Sequence, residues 1–430
     1  MPSAPRPHAA ATRTIAFLAA LLLAAALSGC GSSLGEDDAR AEDAPTASSC
    51  TETVLATLGS VARRIYGEGV ESERTLSAQH MIERSASLRS AIEAGDARAA
   101  RTAARELIAT GHMTNLDVAT PHGSLVSVGG AALAPLRGTI KGSAGRQIAT
   151  YTTSVWADKG FASEISGVAE GLVALRSGNR TIGGTIALPD ELLPAQGALS
   201  VRGVAYRYTS FTARAYPMGS VRIFVLKPLA AAEKLCGTSD PDTQVATLER
   251  VAHLIYEGEQ GPRTLVQVRR VQRNAALLAA VAAHDPVATR EAEAALLHHH
   301  IVRLRVSAAG KLLSDLGGPY VLAPVHADLR LQGRKIGSFV LSIQDDEGYL
   351  RLTQRLAGLN VLMYMEAPGG KHRLVKDSLG TSAQSLGLAQ VPAAGPFAYR
   401  GREYRVFTVK AEAFPSGTLT IRVLVPEPYS

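Results

Sequence analysis

Residues 202–228 read RGVAYRYTSFTARAYPMGSVRIFVLKP, and residues 400–426 read RGREYRVFTVKAEAFPSGTLTIRVLVP. Both fit R-G-x-x-Y-R, then A-x-A-x-P-x-G, then I-x-V-L-x-P, without a gap. The likeness extends upstream: Ala56-Thr57-Leu58, Val61-Ala62 and Ile65-Tyr66 recur 190 positions later as Ala246-Thr247-Leu248, Val251-Ala252 and Ile255-Tyr256. Leu133-Ala134-Pro135 likewise returns as Leu322-Ala323-Pro324. Agreement at so many spaced positions reads as two copies of one domain, 51–228 and 243–430, joined by a linker over 229–242.

Ahead of the first copy, Arg6 and Arg13 precede a small-apolar run over 15–27, which meets Ser28-Gly29-Cys30. This pattern reads as a signal peptide over 1–29. Leu27-Ser28-Gly29-Cys30 resembles a bacterial lipobox, which implies cleavage before Cys30 and acylation of its sulfur. The alternatives are a non-lipid secretory signal or an uncleaved anchor. The apolar run is short for a membrane span, which needs about 20 residues, so the expected attachment is to the outer face of the cell membrane by lipid. Residues 30–50 are rich in Gly, Ser, Ala, Asp and Glu without an apolar period, and read as a flexible tether.

A hydrophobic fraction of 46% is globular, and the 380 residues from 51 onward suffice for two ordinary cores. The formal net charge of +7 falls to +5 once Arg6 and Arg13 leave with the signal. The remaining Lys and Arg are scattered rather than gathered with aromatics, which argues against a nucleic-acid partner. Besides Cys30 there are two cysteines, Cys50 and Cys236, one ahead of each copy. Outside the cytoplasm such a pair is a disulfide candidate, two free thiols being the alternative.

Within each copy the period changes once. Leu58, Val61, Ala62 and Ile65 fall at i, i+3, i+4 and i+7, as do Leu248, Val251, Ala252 and Ile255, giving one apolar stripe on a helix. Further helical stretches cover 85–110 and 274–298, broken at Asp96 and Asp285, so each copy opens with two or three helices. The period then becomes two. In the second copy strands are expected over 302–306, 311–314, 320–331, 335–343, 360–366, 372–375, 397–414 and 418–425, with one helix over 346–356. Gly310, Gly333 and Gly417 mark tight turns, so the sheet is expected to be antiparallel and the class α+β.

A helix-first antiparallel sheet carrying Ile301-Val302-Arg303-Leu304-Arg305-Val306, Gly310-Lys311-Leu312-Leu313, Ala323-Pro324-Val325 and the strand-turn-strand over 333–340 resembles extracytoplasmic Cache, or PAS-like, sensor domains. The resemblance covers most of the second copy and, more faintly, the first. It implies two tandem Cache-like repeats that bind a small organic molecule outside the cell rather than catalyse a reaction. Such domains sit between membrane helices that feed a cytoplasmic module. This chain has neither, which directs the expected signal to a membrane partner.

No motif for catalysis, a metal or a cofactor stands out: there is no H-E-x-x-H, P-loop or G-x-G-x-x-G. His298-His299-His300 cannot converge on one metal from a regular helix, because neighbours point about 100° apart. Arg207 and Arg405 are the leading candidates. By strand parity each lies on the apolar face of its strand, where a guanidinium needs an anionic partner. That partner is either the anionic group of a ligand or an internal carboxylate. A second candidate set is the strand-to-helix junction, with Trp156 in one copy facing Gln344 and Tyr349 in the other; helix capping by Asp345 or Asp346 is the alternative there. Tyr320 and Tyr364 are candidate pocket walls or core aromatics. An envelope interaction module without a small-molecule pocket is the competing function.

Overall fold

The computed structural model describes residues 47–430 apart from 259, 298–299, 319–320, 368–370, 381–385, 413, 415–416 and 430. The signal peptide, Cys30, His298, His299 and Tyr320 therefore lie outside the described residues. The chain is α+β. It begins with four helices, α1 (Ala47–Glu71), α2 (Glu73–Arg84), α3 (Ala86–Glu93) and α4 (Ala97–Gly111). Strands β1 (Asn115–Thr120), β2 (Gly123–Gly129), β3 (Ala132–Leu133), β4 (Leu136–Lys141), β5 (Gln147–Ser154) and β6 (Trp156–Ala157) lead to α5 (Asp158–Ala169). Then come β7 (Leu172–Ser177), β8 (Arg180–Gly184), β9 (Gln196–Val201), β10 (Val204–Tyr216), β11 (Gly219–Pro228) and the short α6 (Leu229–Glu233).

The second half runs in the same order. It has α7 (Asp240–Gly258), α8 (Pro262–Gln272), α9 (Ala275–Ala282) and α10 (Pro286–Leu297), then β12 (Arg303–Ala308), β13 (Lys311–Gly317), β14 (Val321–Leu322), β15 (Val325–Leu331), β16 (Arg334–Ser342) and β17 (Gln344–Asp345). It closes with α11 (Asp346–Ala357), β18 (Asn360–Ala367), β19 (Lys371–Asp377), β20 (Gly395–Tyr399), β21 (Arg402–Glu412) and β22 (Thr418–Pro426). Each half thus holds two main sheets rather than one. The order is β2-β1-β5-β4 and β13-β12-β16-β15 in the first pair, and β6-β3-β10-β11-β7-β8 (with β9 on β10) and β19-β18-β22-β21-β20 in the second, while β14 and β17 pair as a separate two-stranded sheet.

Several expected boundaries move, for identifiable reasons. The tether ends earlier than 50, since 47–50 form the first turn of α1, and the linker over 229–242 contains α6 and the start of α7. The expected strand 397–414 is two strands, β20 and β21, split by Arg400-Gly401, and Arg202-Gly203 separates β9 from β10 in the same way. Both residues of each pair have positive φ (52° and 73°; 52° and 79°), the geometry of a type I′ hairpin. The R-G that opens each repeated stretch is therefore a turn. The expected strand 320–331 is likewise two, β14 and β15, with Ala323 at φ 50° between them. α2 and α8 were not expected as separate helices, because their surfaces are too charged to show a clear stripe.

The apolar stripes place the core. Leu58, Val61, Ala62 and Ile65 on α1, and Leu248, Val251, Ala252 and Ile255 on α7, all join one cluster with Phe161 and Ile165 of α5, Leu350 and Leu356 of α11, Ile223 and Val225 of β11, and Ile421 and Val423 of β22. α1 packs on α7 and α11, and α7 packs on α1 and α5. The four helices lie between the two larger sheets, and both halves share this core. Smaller clusters lie under α2–α4, under α8–α10, and on the outer face of each larger sheet. Two tyrosines pin helix to sheet. Tyr66 Oη donates to the Arg214 carbonyl at 3.1 Å and accepts the Arg214 N–H at 2.9 Å. Tyr256 Oη donates to the Glu412 carbonyl and accepts the Ala323 N–H, both at 3.0 Å.

Asp96 caps α4 by accepting the Arg98 and Ala99 N–H groups, and Asp285 accepts those of Val287 and Ala288. Eight residues on, the halves diverge. Glu293 of α10 is fully buried, with Ser314 as its polar neighbour, where α4 has buried Ala104. Burial pushes its pKa up to about 7, and nearby Asp315 pushes the same way. An acid that holds its proton more tightly when folded adds stability at low pH, and loses it as pH rises from the ordinary carboxylate range through about 7. Glu293→Gln is therefore expected to raise stability by about 2–3 kcal/mol at pH 8 and by little at pH 5. Urea denaturation at the two pH values checks this.

Candidate functional site

The repeated strand carries the two arginines to equivalent places, where they meet different surroundings. Arg405, on β21, shares a face with Phe407 and Val409, as parity requires. Its Nε donates to the Glu427 carboxylate at 2.7 Å and its Nη1 to Asp242 at 3.1 Å. Asp242 also accepts the hydroxyls of Thr238 and Ser239, and these bonds with Arg405 hold its carboxyl below the usual range. Arg405 thus has two internal carboxylates beside the first turn of α7. Sequence could not supply this partnership, because Asp242 lies 163 residues away.

Arg207, on β10, is paired in register with Ala198 of β9 and Lys227 of β11. It lines a crevice of about 190 Å³ with Glu52 and Leu55 of α1, Gln196 and Gly197 of β9, and Tyr208. Gly197 leaves the opening: a Cβ there would lie 2.8 Å from the Tyr208 hydroxyl. Nearby, Cys50 in the first turn of α1 is disulfide-bonded to Cys236 after α6, with Cα atoms 5.7 Å apart. Thr53 donates to Asp240 at 2.8 Å, joining the starts of α1 and α7.

The other candidates lie elsewhere. Ser154 Oγ accepts the Trp156 N–H and donates to the Leu133 carbonyl; Ser342 Oγ accepts the Gln344 N–H and donates to the Leu322 carbonyl. These matched serines turn the chain into α5 and α11. Trp156 is half-buried, its ring edge-on to Phe161 and against Gly69 of α1, and its Nε1–H has no hydrogen-bond partner. Gln344 is buried with Nε2 equally unpartnered. Tyr349 is wholly buried in the shared core, its ring edge-on to Tyr256 and its hydroxyl donating to the Ala252 carbonyl at 3.3 Å. Burial raises its pKa, so it stays a neutral core residue. Asp345 caps α11 by accepting the Gly348 N–H. Tyr364 is also core, donating to the Leu386 carbonyl. Trp156, Gln344 and Tyr349 share no cavity with either arginine.

Two larger concavities carry residues that sequence reasoning passed over. One, of about 720 Å³, runs between α2 and α4 along Leu76, His80, Met81 and Leu107. The other, of about 750 Å³, lies at the hairpin tips of β12–β13 and β15–β16 against the end of α9. Among the described residues no helix is long and apolar enough to cross a membrane, and no three His, Cys, Asp or Glu side chains gather as a metal site.

No family model and no curated protein matches the chain. Among solved structures, an extracellular ligand binding receptor from Desulfohalobium retbaense aligns at 9% identity with a TM-score of 0.25 over 52% of this chain and 47% of that one. A likeness of that size carries no argument about fold or function.

Arg405→Ala removes an ion-pair cluster that is about a third exposed, and is expected to cost only about 1 kcal/mol. Reducing the disulfide, which closes 186 residues, is expected to cost about 2–5 kcal/mol. Thiol titration of the folded, unreduced protein should find no reactive Cys50 or Cys236, and denaturant melts with and without reductant measure the rest.

Proposed function

We propose that the protein is a lipid-anchored extracytoplasmic binder of a small organic acid, built from two Cache-like copies and acting through a membrane partner. It is not an enzyme on this reading. The observation that carries it is the Arg207 crevice: a guanidinium on the wall of an opening the size of a small acid, at the mouth between α1 and the β9–β10 hairpin. Its counterpart Arg405 is held by Asp242 and Glu427, which supports an anionic group as the contact of such an arginine. The apolar groove along Leu76, Met81 and Leu107 favours the competing reading, a protein-interaction module.

A thermal-shift screen of residues 47–430 against organic acids and amino acids separates the two. On the binding reading one compound at about a hundred times its Kd raises the melting temperature by roughly 3–6 °C. Arg207→Ala abolishes the rise and Arg405→Ala keeps it. No rise with any compound gives the function to the interaction module. Anchoring is checked separately: Cys30→Ala in a bacterial host should end incorporation of a palmitate analogue and release the protein from membranes.

A further inference from the structure

The ends of α3 and α9 are built alike. Each is followed by a right-handed cap, Ala94 or Ala283, a left-handed residue, Gly95 (φ 65°) or His284 (φ 54°), and then the capping Asp96 or Asp285. The facing strands also correspond. β4 and β15 each carry an irregularity at the same step, Ile140/Lys141 and Leu329/Arg330, before turning into β5 and β16. On this common frame the last residue of α3 is Glu93 and the last residue of α9 is Ala282.

Glu93 fills its corner. Its carboxylate accepts the Ser143 N–H of the β4–β5 turn at 2.6 Å, a bond that holds its pKa below the ordinary range. In the second half the carboxylate is missing and the turn is tighter. Leu331 pairs with Arg334 across the two left-handed residues Gln332 and Gly333 (φ 50° and 80°). The corner is open there, a cavity of about 750 Å³ walled by Ala282, His284, Gly310, Arg334, Lys335 and Ser338. No carboxylate lines it. Lys335 is bonded to Asp328 at 2.7 Å, while the Arg334 side chain makes no ion pair or hydrogen bond among the described residues.

We infer that this corner of the second half is a binding site for a small carboxylate, which takes from solution the place that the Glu93 side chain fills in the first half. Arg334 supplies the charge-assisted bonds and the His284 imidazole a further polar wall. The C-terminal end of a short helix does not forbid an anion here, since the carbonyls of Ala279, Ala280 and Val281 already accept the N–H groups of Ala283, Asp285 and His284, and the equivalent end of α3 faces a carboxylate. The site extends the reading of the protein as a binder of organic acids but stands apart from the Arg207 crevice.

Succinate titrated calorimetrically into residues 47–430 tests it. Ala282→Glu, which places an internal carboxylate as in the first half, and Arg334→Ala, an exposed residue whose loss leaves the fold intact, should each weaken succinate binding at least about tenfold. Arg207→Ala should leave it unchanged. Melting curves without succinate confirm that Ala282→Glu folds, and Arg334→Ala decides alone if it does not. Binding lost only in Arg207→Ala overturns this site and leaves the proposed function standing. Binding unaffected by Arg334→Ala, or no binding by the wild-type chain, also overturns it.

Discussion

Everything else in the molecule depends on α1 and α7 crossing inside one core. Each helix presents an apolar stripe to its own sheet, and its remaining apolar surface is covered by the partner helix and by the short helix of the opposite half. Neither half covers its first helix alone, because α1 also packs on α7 and α11, and α7 on α1 and α5. This exchange, α1 on α11 and α7 on α5, has the reciprocity of a two-fold dimer interface held within a single chain. The disulfide and the Thr53–Asp240 bond fix the starting points of the two helices next to it.

The three cavities lie at the edge of this shared core or beyond it, toward the ends of the halves. There the two halves differ in their chemistry. Arg405 is held by Asp242 and Glu427, while Arg207 borders a crevice that Glu52 also lines; Glu93 closes a corner that Ala282 leaves open; Glu293 is buried where Ala104 sits. Even a buried pin has been exchanged. Arg176, wholly buried, donates to the Glu191 carbonyl of the loop after β8, and in the second half Tyr364 donates to the Leu386 carbonyl of the corresponding connection. Positions on the apolar stripes of α1 and α7 are conserved in kind between the halves. Those that face a loop or a cavity are not.

The α+β class, the helical stripes, the helix breaks at Asp96 and Asp285, the helix beginning at Asp346 and the Cys50–Cys236 pair were legible in the sequence. All are local signals, or in the case of the cysteines follow from compartment and number. The R-G turns were hidden because the strands on both sides share one alternation, and only backbone φ reveals the break. The split into two sheets per half was hidden because β3, β6, β14 and β17 are two residues long. Arg405 was placed on the correct face by parity, but its partners come from a helix start and a chain end far away in sequence. The open corner in the second half could not be read at all from its own residues. It is the absence of a side chain, visible only when Ala282 is set against Glu93 on the same frame.

Hydrogen exchange along the intact extracytoplasmic chain, with and without a saturating small carboxylate, tests the central claim directly: anions are bound at the ends of the halves and not in the shared core. Added protection confined to 51–55, 196–209 or 331–338, with the core stretches 58–65 of α1 and 248–255 of α7 unchanged, is the expected result. Protection that first rises in 58–65 or 248–255, or no protection anywhere, would contradict it.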